Sequence, residues 1–414
     1  MGEIVDSALQ TLKTRRKRLL DGFVNCIPSP FVRFRGDFCG LEQETYYLIT
    51  SYTKGGKSMF MSYTFLYENI IYAYEHPEMD LDFMFLYFPL EETPERIMHR
   101  FMSHLVYRHT KGKLKFSPKE LRSTQQPINQ DVLDVLDSDD IQDILNFFEA
   151  HVKFIDDRNP TGIYKACETY AKENGTIQTE KYNITDEWGE VETRTRFSKY
   201  IPNNPNKYIV PIIDTINLVD GERGYTQKQS IDKMSEYCKE LRNKYKMSPV
   251  VIQQQAFEAE RIDEFKAKND AIRPSIKDLG DSKYTARDAN IVLGLFAPAR
   301  MHLHDYKGYD IDVFENNIRF LEVLINRDGD IGGLVALYFD GAVCNFKELP
   351  PPQIKTKSGD WIPNPELEEI TKKVKKRKEK DDNQQSLTET TLFLFGKRRK
   401  HSLFNKFYKL WQKF

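Results

Sequence analysis

The chain has 414 residues, and its 61 lysines and arginines nearly balance its 62 aspartates and glutamates. Its length allows two or three domains of ordinary size, and its apolar content of 40% supplies a hydrophobic core, which excludes disorder throughout. No apolar run approaches the roughly 18 residues of a membrane span, and acidic Glu3 stands where a signal peptide has basic residues, so we expect neither feature.

The five cysteines are odd in number and widely separated: Cys26, Cys39, Cys167, Cys238 and Cys344. No two of them form a CxxC pair, which argues against a disulfide framework and against a zinc site and favours a reducing cytoplasm. Charge is unevenly distributed, because the segment from Lys372 to Phe414 carries a net charge of +10 and the rest of the chain −11. This distribution excludes a uniformly basic coat for nucleic acid and restricts such binding to a local lining.

The first 26 residues predict one short amphipathic helix. Ile4, Val5, Leu9 and Leu12 recur at helical spacing, and the basic segment Arg15–Arg18 follows them. Such a helix needs a partner surface for its apolar face, and packing on its own domain is as good an explanation as docking on another chain.

Residues 27–349 alternate strand-length apolar runs with longer helical segments, which predicts an α/β domain with a mainly parallel central sheet. The predicted strands are Tyr46–Thr50, Phe83–Phe88, Val152–Ile155, Tyr208–Ile213, Pro249–Gln253, Ile291–Phe296, Phe320–Ile325 and Leu334–Phe339. The dipeptide Asp328-Gly329 predicts a hairpin between the last two. A polar stretch at about 174–206 is interpreted as an inserted hairpin. Residues 350–414 form a basic, partly disordered tail that ends in an amphipathic helix at 402–414.

The segment Ser51-Tyr52-Thr53-Lys54-Gly55-Gly56-Lys57-Ser58 follows a predicted strand and precedes the helical run Met59–Tyr72. In this context the pattern GxxxxGK[ST] is a phosphate-binding P-loop: backbone N–H groups surround the phosphates, Lys57 contacts them and the Ser58 hydroxyl holds Mg²⁺. Ser51 replaces the first glycine of the pattern. The simpler alternative is a flexible turn before a helix.

Two carboxylates follow neighbouring strands, Glu91 after Phe83–Phe88 and Asp214 after Tyr208–Ile213. Carboxyl ends of parallel strands share one edge of a sheet, so both should lie near the P-loop. There Asp214 and Ser58 would hold Mg²⁺, and Glu91 would polarise the water that attacks the terminal phosphate of ATP. Glu92 is better explained as a helix cap or a solvated loop residue.

These residues belong to a wider set of motifs that resembles the ATPase domain of the DnaB family of replicative helicases, which has a RecA-type core. The motifs are Phe88-Pro89-Leu90-Glu91, the segment Ile212–Leu218, the segment Pro249–Gln255, the segment Arg273–Leu279 with Asp288-Ala289-Asn290, and the segment Asn326–Gly332. The resemblance covers about Ile27 to Leu349. It implies that Gln255 is a sensor of the terminal phosphate and that Arg327 is an arginine finger for a neighbouring subunit. Ile325 departs from the family, which usually has lysine there.

The same resemblance implies a DNA-binding loop with Lys277, Gly280, Asp281 and Lys283, and a second pore-lining loop with Arg223. Gly280 stands where the family has arginine, which leaves more of the phosphate binding to backbone N–H groups and Lys283. An ordinary loop without a ligand is the alternative.

Further expectations concern partners. The N-terminal helix resembles the family's inter-subunit linker, whereas the helical collar domain that precedes that linker in the family does not occur in this sequence. We therefore expect a compact, bacteriophage-like form in the cytoplasm of a bacterium or an infected cell, with the tail contacting a primase, loader or polymerase.

The predicted function is an ATP-dependent DNA helicase that forms a homo-oligomer, a hexameric ring, on single-stranded DNA and unwinds duplex. The resemblance to the DnaB family implies movement in the 5′→3′ direction. Two alternatives remain open. One is a RecA-type recombinase that remodels strands without unwinding them. The other is a degenerate nucleotide-binding scaffold, for which Ser51 and Ile325 are the main evidence.

Overall fold

The computed structural model describes residues 2–124, 126–185, 187–188, 190–256, 273–280 and 282–379. Of the described residues, one compact unit contains those up to Leu303 together with Asn316–Leu349, and a second contains His304–Glu315 together with residues 350–379. The helix predicted at 402–414 lies outside the described residues. No helix in the described part of the chain is long and apolar enough to span a membrane.

The strands, in chain order, are β1 (Cys26–Pro28), β2 (Gly40–Glu42), β3 (Tyr47–Ser51), β4 (Phe83–Pro89), β5 (Val152–Phe154), β6 (Gly175–Thr185), β7 (Val191–Pro202), β8 (Tyr208–Asp214), β9 (Val250–Gln254), β10 (Ile291–Phe296), β11 (Asp305–Tyr306), β12 (Tyr309–Asp310), β13 (Ile318–Asn326), β14 (Leu334–Asp340), β15 (Asn345–Glu348), β16 (Gln353–Lys355) and β17 (Trp361–Pro363).

The α-helices are α1 (Gly2–Leu20), α2 (Lys57–Met61), α3 (Glu68–Glu75), α4 (Pro94–His109), α5 (Pro118–Leu121), α6 (Gln130–Leu136), α7 (Asp139–His151), α8 (Pro160–Glu173), α9 (Gln227–Tyr245), α10 (Tyr284–Asp288), α11 (Ile311–Phe314) and α12 (365–379). A π-helical turn, Ser62–Tyr67, joins α2 to α3, so the predicted helical run Met59–Tyr72 lies within one continuous helical stretch.

A nine-stranded sheet forms the centre of the first unit, in the order β15-β14-β13-β10-β3-β9-β8-β4-β5. Its strands from β10 to β5 pair in parallel, and β13, β14 and β15 extend it by antiparallel pairing. All eight predicted strands are present, with bounds shifted by no more than about two residues, an ordinary boundary difference. The predicted mainly parallel α/β architecture is therefore confirmed.

Both faces of the sheet are covered, which explains why β3 and β8 are buried along their whole length. Tyr47 and Ile49 of β3 pack in one core cluster with residues of α2, α3, α4 and α7, whereas Leu48 packs in the other with residues of α8 and α9. This alternation is the two-residue period of a strand between two helical layers. Both faces of the sheet are thus covered by hydrophobic core.

Helix α1 is longer than the sequence predicted, because the basic segment Arg15–Arg18 continues the helix to Leu20 instead of following it. Among the residues of α1 whose side chains the structure describes, the apolar ones are exposed, for example Val5 by 54% and Leu12 by 65%. In the single chain, the apolar face of this helix is therefore not buried.

The segment predicted as an inserted polar hairpin contains β6 and β7, paired antiparallel from Gly175 opposite Pro202 to Thr185 opposite Val191. Most of its side chains are exposed, and Tyr200 near its base is buried. In the second unit, β16 pairs with β17 and helix α12 follows. No element was predicted for residues 350–379, which are more ordered than the tail that the sequence indicated.

Candidate functional site

The P-loop begins at Ser51, the last residue of β3. A Cβ atom on Gly55 would lie 1.8 Å from the Ser51 Oγ, and Gly56 has a φ of +95°, which residues with a side chain rarely adopt. Both glycines are thus required by the turn. Ser51, which replaces the first glycine of the pattern, fills the space that the missing side chain of Gly55 leaves, so the departure from the pattern is accommodated within the loop.

The two lysines of the loop lie in different environments. Lys57 is the first residue of α2 and is 8% exposed, whereas the side chain of Lys54 is exposed. Gly56 caps the helix without a side-chain hydrogen bond, which leaves the first N–H groups of a long helical stretch to an external acceptor. A buried lysine beside unpaired backbone donors is an environment suited to an anion.

Asp214, at the carboxyl end of β8, is placed directly beside the loop. The Ser58 hydroxyl donates to its Oδ1 at 2.9 Å, and the Tyr87 hydroxyl of β4 donates to its Oδ2 at 3.1 Å. Burial raises the pKa of Asp214 to about 6, which the Ser58 hydrogen bond opposes and the negative charge of Glu91 reinforces. Hydroxyl and carboxylate oxygens are ligands that Mg²⁺ prefers, and a cation there would relieve this buried charge, so the donor set fits Mg²⁺.

Glu91 reaches the same edge through its backbone. The N–H groups of Leu90 and Glu91 donate to the Asp214 carbonyl at 3.0 and 3.2 Å, and the Glu91 side chain extends into solvent. The structure thus brings Glu91, Asp214 and Ser58 together, as the strand positions predicted. Glu92 differs from the sequence interpretation, because it neither caps α4 nor stays free in solvent but pairs with the buried Arg100 of α4.

Gln255 lies where β9 ends, and its N–H donates to the Ser51 carbonyl at 3.1 Å. Its side chain turns away from the P-loop, because Nε2 donates to the Ser275 carbonyl at 3.3 Å. The neighbouring Gln254 instead contacts the loop, with Nε2 donating to the Thr53 hydroxyl at 2.7 Å. Gln255 therefore joins the P-loop strand to the segment that contains Lys277, and Gln254 is a contact that the sequence motif did not single out.

Arg319, the second residue of β13, is a residue of the site that the sequence analysis missed. It is 1% exposed, its Nε donates to the Gly55 carbonyl at 2.7 Å, and its guanidinium lies 4.6 Å from the ring centre of Phe339. Burial lowers its pKa to about 10, and the positive charge of Arg300 acts in the same direction. The sequence feature that could have identified Arg319 is its position as a charged residue within the otherwise apolar run Ile318-Arg319-Phe320.

Arg327 lies at the opposite edge of the sheet. Asn326, which precedes it, pairs with Ile291 at the start of β10, and Ile291 pairs with Tyr47 at the start of β3. The P-loop follows the other end of β3. Arg319 and Arg327 are thus separated by about 27 Å of extended strand, so Arg327 does not reach the P-loop of its own chain.

The predicted DNA-binding residues do not share one environment. The side chains of Lys277, Lys283 and Arg223 are exposed, whereas Asp281 lies outside the described residues. Gly280 is buried, and its N–H donates to the Gln254 carbonyl at 3.3 Å. In this conformation the Gly280 donor is used within the chain, so phosphate contacts from this loop would fall to the lysines.

A mainly parallel sheet with this loop, lysine and carboxylate at its carboxyl edge defines the RecA-like P-loop class of fold. Among solved structures, the ATPase domain of G40P aligns with 84% of this chain and 99% of its own, with a TM-score of 0.58 and 15% identity. A DnaB-like replicative helicase, described with its interactions with primase, aligns with 83% of this chain and 67% of its own, with a TM-score of 0.52 and 16% identity.

The sequence itself matches no protein-family model and no curated protein. At identities of 15% and 16% the structural likeness establishes the fold. The chain therefore has the fold of the ATPase domain of DnaB-like replicative helicases, as its motifs indicated.

Proposed function

We propose that the protein is an ATP-dependent replicative DNA helicase that encircles single-stranded DNA as a homo-hexameric ring. The observation that carries this proposal is the group formed by Lys57, Ser58 and Asp214 at the carboxyl edge of a DnaB-like fold. Such a group binds a nucleoside triphosphate with Mg²⁺, and a helicase couples its hydrolysis to movement along a strand.

Each residue has a role in this proposal. Bound Mg²⁺–ATP would supply the transferable phosphoryl group. Ser58 and Asp214 would hold its Mg²⁺ ion. Lys57 and the N–H group of Gly56 would bind phosphate oxygens, whereas the Gly55 N–H donates to the Tyr52 carbonyl at 3.1 Å within the loop. Ser51 and Lys54 shape and flank the loop. Glu91, exposed beside Asp214, orients the attacking water and accepts its proton.

Arg327 acts between subunits in the proposed ring. It is exposed at the edge opposite the P-loop of its own chain, so the only nucleotide it can serve is one bound to another chain. There it would stabilise the charge of the transition state, as arginine fingers do. The missing lysine at Ile325 removes one further cation from this role but leaves the arginine in place.

DNA binding is proposed for the exposed cations Lys277, Lys283 and Arg223. Gln255 links the segment of Lys277 to the P-loop strand through Ser51 and Ser275. Contacts with a primase, loader or polymerase through the basic tail, and a cytoplasmic location in a bacterium or phage-infected cell, are further parts of the proposal.

Lys57→Ala is the direct test. It should reduce DNA-stimulated ATP hydrolysis to background while circular dichroism and thermal unfolding stay close to those of the wild type. Lys111→Ala, which changes an exposed lysine in a turn far along the chain from the loop, is the matched control and should keep full activity. Hydrolysis that persists in Lys57→Ala would refute the site.

A forked duplex distinguishes the proposal from its alternatives. Strand separation that requires ATP and is lost in Lys57→Ala supports a helicase. Filament formation with strand exchange would instead support a recombinase. Nucleotide binding without any DNA-stimulated hydrolysis in the wild type would identify a scaffold.

A further inference from the structure

Cys26 and Cys39 lie side by side although 13 positions separate them in the chain. Their Sγ atoms are 3.4 Å apart, and the Cys39 Sγ is 2.9 Å from the Glu42 Oε1. The three ligand atoms lie within 4.8 Å of one another, and no other group of this kind occurs in the ranges that the structure describes. The spacing of the cysteines in the sequence argued against a zinc site, whereas the fold brings two of them together beside a carboxylate.

We propose that Cys26, Cys39 and Glu42 bind a divalent cation of the zinc class. Two thiolates and one carboxylate suit Zn²⁺, whereas Mg²⁺ and Ca²⁺ prefer oxygen ligands alone. Two sulfur atoms on a tetrahedral Zn²⁺ lie about 3.7 Å apart, given Zn–S bonds of about 2.3 Å. The observed separation of 3.4 Å therefore needs to widen by only a few tenths of an ångström.

The backbone around these side chains is fixed before any ion binds. Cys26 lies directly opposite Glu42 in the pairing of β1 with β2. Tyr47, fully buried in β3, accepts a hydrogen bond from the Glu42 N–H at 2.8 Å and donates to the Gly40 carbonyl at 3.0 Å. A Cβ atom on Gly40 would lie 2.1 Å from the Ile27 carbonyl oxygen, so the two strands approach as closely as they do because residue 40 is glycine. Ligands on such a rigid support lose little freedom on binding an ion.

Binding of the ion at Cys26, Cys39 and Glu42 would release protons and leave a negative charge at the site. Each thiol releases its proton to solvent, so two protons leave as two sulfur–metal bonds form. Two thiolates, one carboxylate and a dication carry a net charge of −1. Arg15, whose Nη2 lies 3.6 Å from the Glu42 Oε2, offsets that charge. The described residues supply three ligands, and water would take the fourth position.

The site lies where α1 meets the rest of the first unit. Arg15 belongs to α1, and its carbonyl accepts a hydrogen bond from Asn25 Nδ2 at 2.8 Å, immediately before Cys26. An ion at Cys26 would therefore restrain the start of β1. Through the contact of Glu42 with Arg15, it would also restrain the C-terminal part of α1. Both thiols are partly exposed, which gives an ion access from solvent.

The experiment uses the full-length protein, reduced and freed of metal by a chelator. Zn²⁺ is titrated in competition with a chromophoric chelator, and Co²⁺ is added separately as a spectroscopic probe of thiolate ligation. We expect one Zn²⁺ per chain and a tetrahedral cobalt–thiolate spectrum. Cys26→Ser and Cys39→Ser should each weaken Zn²⁺ binding by about 100-fold, and Glu42→Gln by about tenfold.

Cys167→Ala is the control, because Cys167 is buried in α8 and should not affect the titration. Circular dichroism verifies that each variant is folded, and Glu42→Gln, which changes no cysteine, gives a second reading should a serine variant unfold. Zn²⁺ binding unchanged in Cys26→Ser and Cys39→Ser would overturn the proposal. So would a wild type that shows no cobalt–thiolate band and instead loses two hydrogen masses as a disulfide when reductant is removed. ATP hydrolysis enters none of these readouts, so the result is independent of the proposed helicase function.

Discussion

The two ends of strand β13 carry arginines in opposite situations. Arg319 is 1% exposed and donates to carbonyls of its own chain at Gly55, Asn316 and Ile318. Arg327 is exposed, and its guanidinium donates to the carbonyls of Ala289 and Arg287. Arg319 is hydrogen-bonded to the P-loop of its own chain, whereas the Arg327 side chain is accessible to an anion in solvent. One strand thus places a buried arginine beside the P-loop at one end and an exposed arginine at the other.

Of the variants at the two ends of β13, Arg327→Ala should have the larger effect on ATP hydrolysis. We expect kcat for DNA-stimulated ATP hydrolysis to fall by about 10³-fold, because an arginine finger acts mainly on the transition state. Affinity for the nucleotide, measured with a fluorescent ATP analogue, should stay near the wild-type value. Asp328→Ala, in the same exposed loop, is the control, and equal losses in both variants would remove the special role of Arg327.

Arg319→Met should act on binding and stability instead. Removing the guanidinium leaves the buried carbonyls of Gly55 and Ile318 without this donor, so we expect the free energy of unfolding to fall by about 3 kcal/mol. The KM for ATP should rise by about tenfold, because the Gly55 carbonyl loses the contact that fixes the loop. Urea unfolding and steady-state kinetics check both. An unchanged KM in a folded Arg319→Met protein would show that the arginine does not position the P-loop.

Asp214→Asn should change how stability depends on pH. Burial raises the pKa of Asp214 to about 6 from an ordinary value of 3.8, so the folded state binds a proton more readily than the unfolded state does. Its contribution to stability is therefore lost as pH rises from about 4 to 6. Without Mg²⁺ and nucleotide, the variant should exceed the wild type by about 2 kcal/mol at pH 7.5 and by little at pH 4. A difference that does not vary with pH would contradict the assignment.

Tyr87→Phe should have the smallest effect. It removes one hydrogen bond to the Asp214 carboxylate, which is worth about 1 kcal/mol, and leaves the packing of β4 intact. The Mg²⁺ concentration that half-saturates ATP hydrolysis should shift by about threefold, measured at fixed ATP. A shift far larger than threefold would indicate that Tyr87 does more than orient the carboxylate.

The elements of the carboxyl edge were predictable because their signals are local. The eight strands, the turn at Ser51–Ser58 and the positions of Glu91 and Asp214 follow from apolar periodicity and from the rule that ligands bind at the carboxyl ends of parallel strands. Residues within a few positions of one another fix each of these features.

The remaining features depend on contacts between distant parts of the chain. Arg319 is 264 positions from Gly55, and the predicted strand began one residue after it. Cys26 and Cys39 meet only because β1 pairs with β2, which spacing rules for cysteine do not anticipate. The side chain of Gln254, rather than that of Gln255, contacts the P-loop because successive side chains of a strand point to opposite faces. The motif does not specify which face lies toward the loop.

Mixing two inactive variants tests most directly whether Lys57 and Arg327 of different chains form one site. Lys57→Ala chains retain Arg327, and Arg327→Ala chains retain Lys57. If the arginine acts between subunits, then in an equal mixture about a quarter of the interfaces contain both intact residues, and ATP hydrolysis should reappear. Hydrolysis that stays at the level of either variant alone, with subunit exchange demonstrated by fluorescence, would contradict this arrangement.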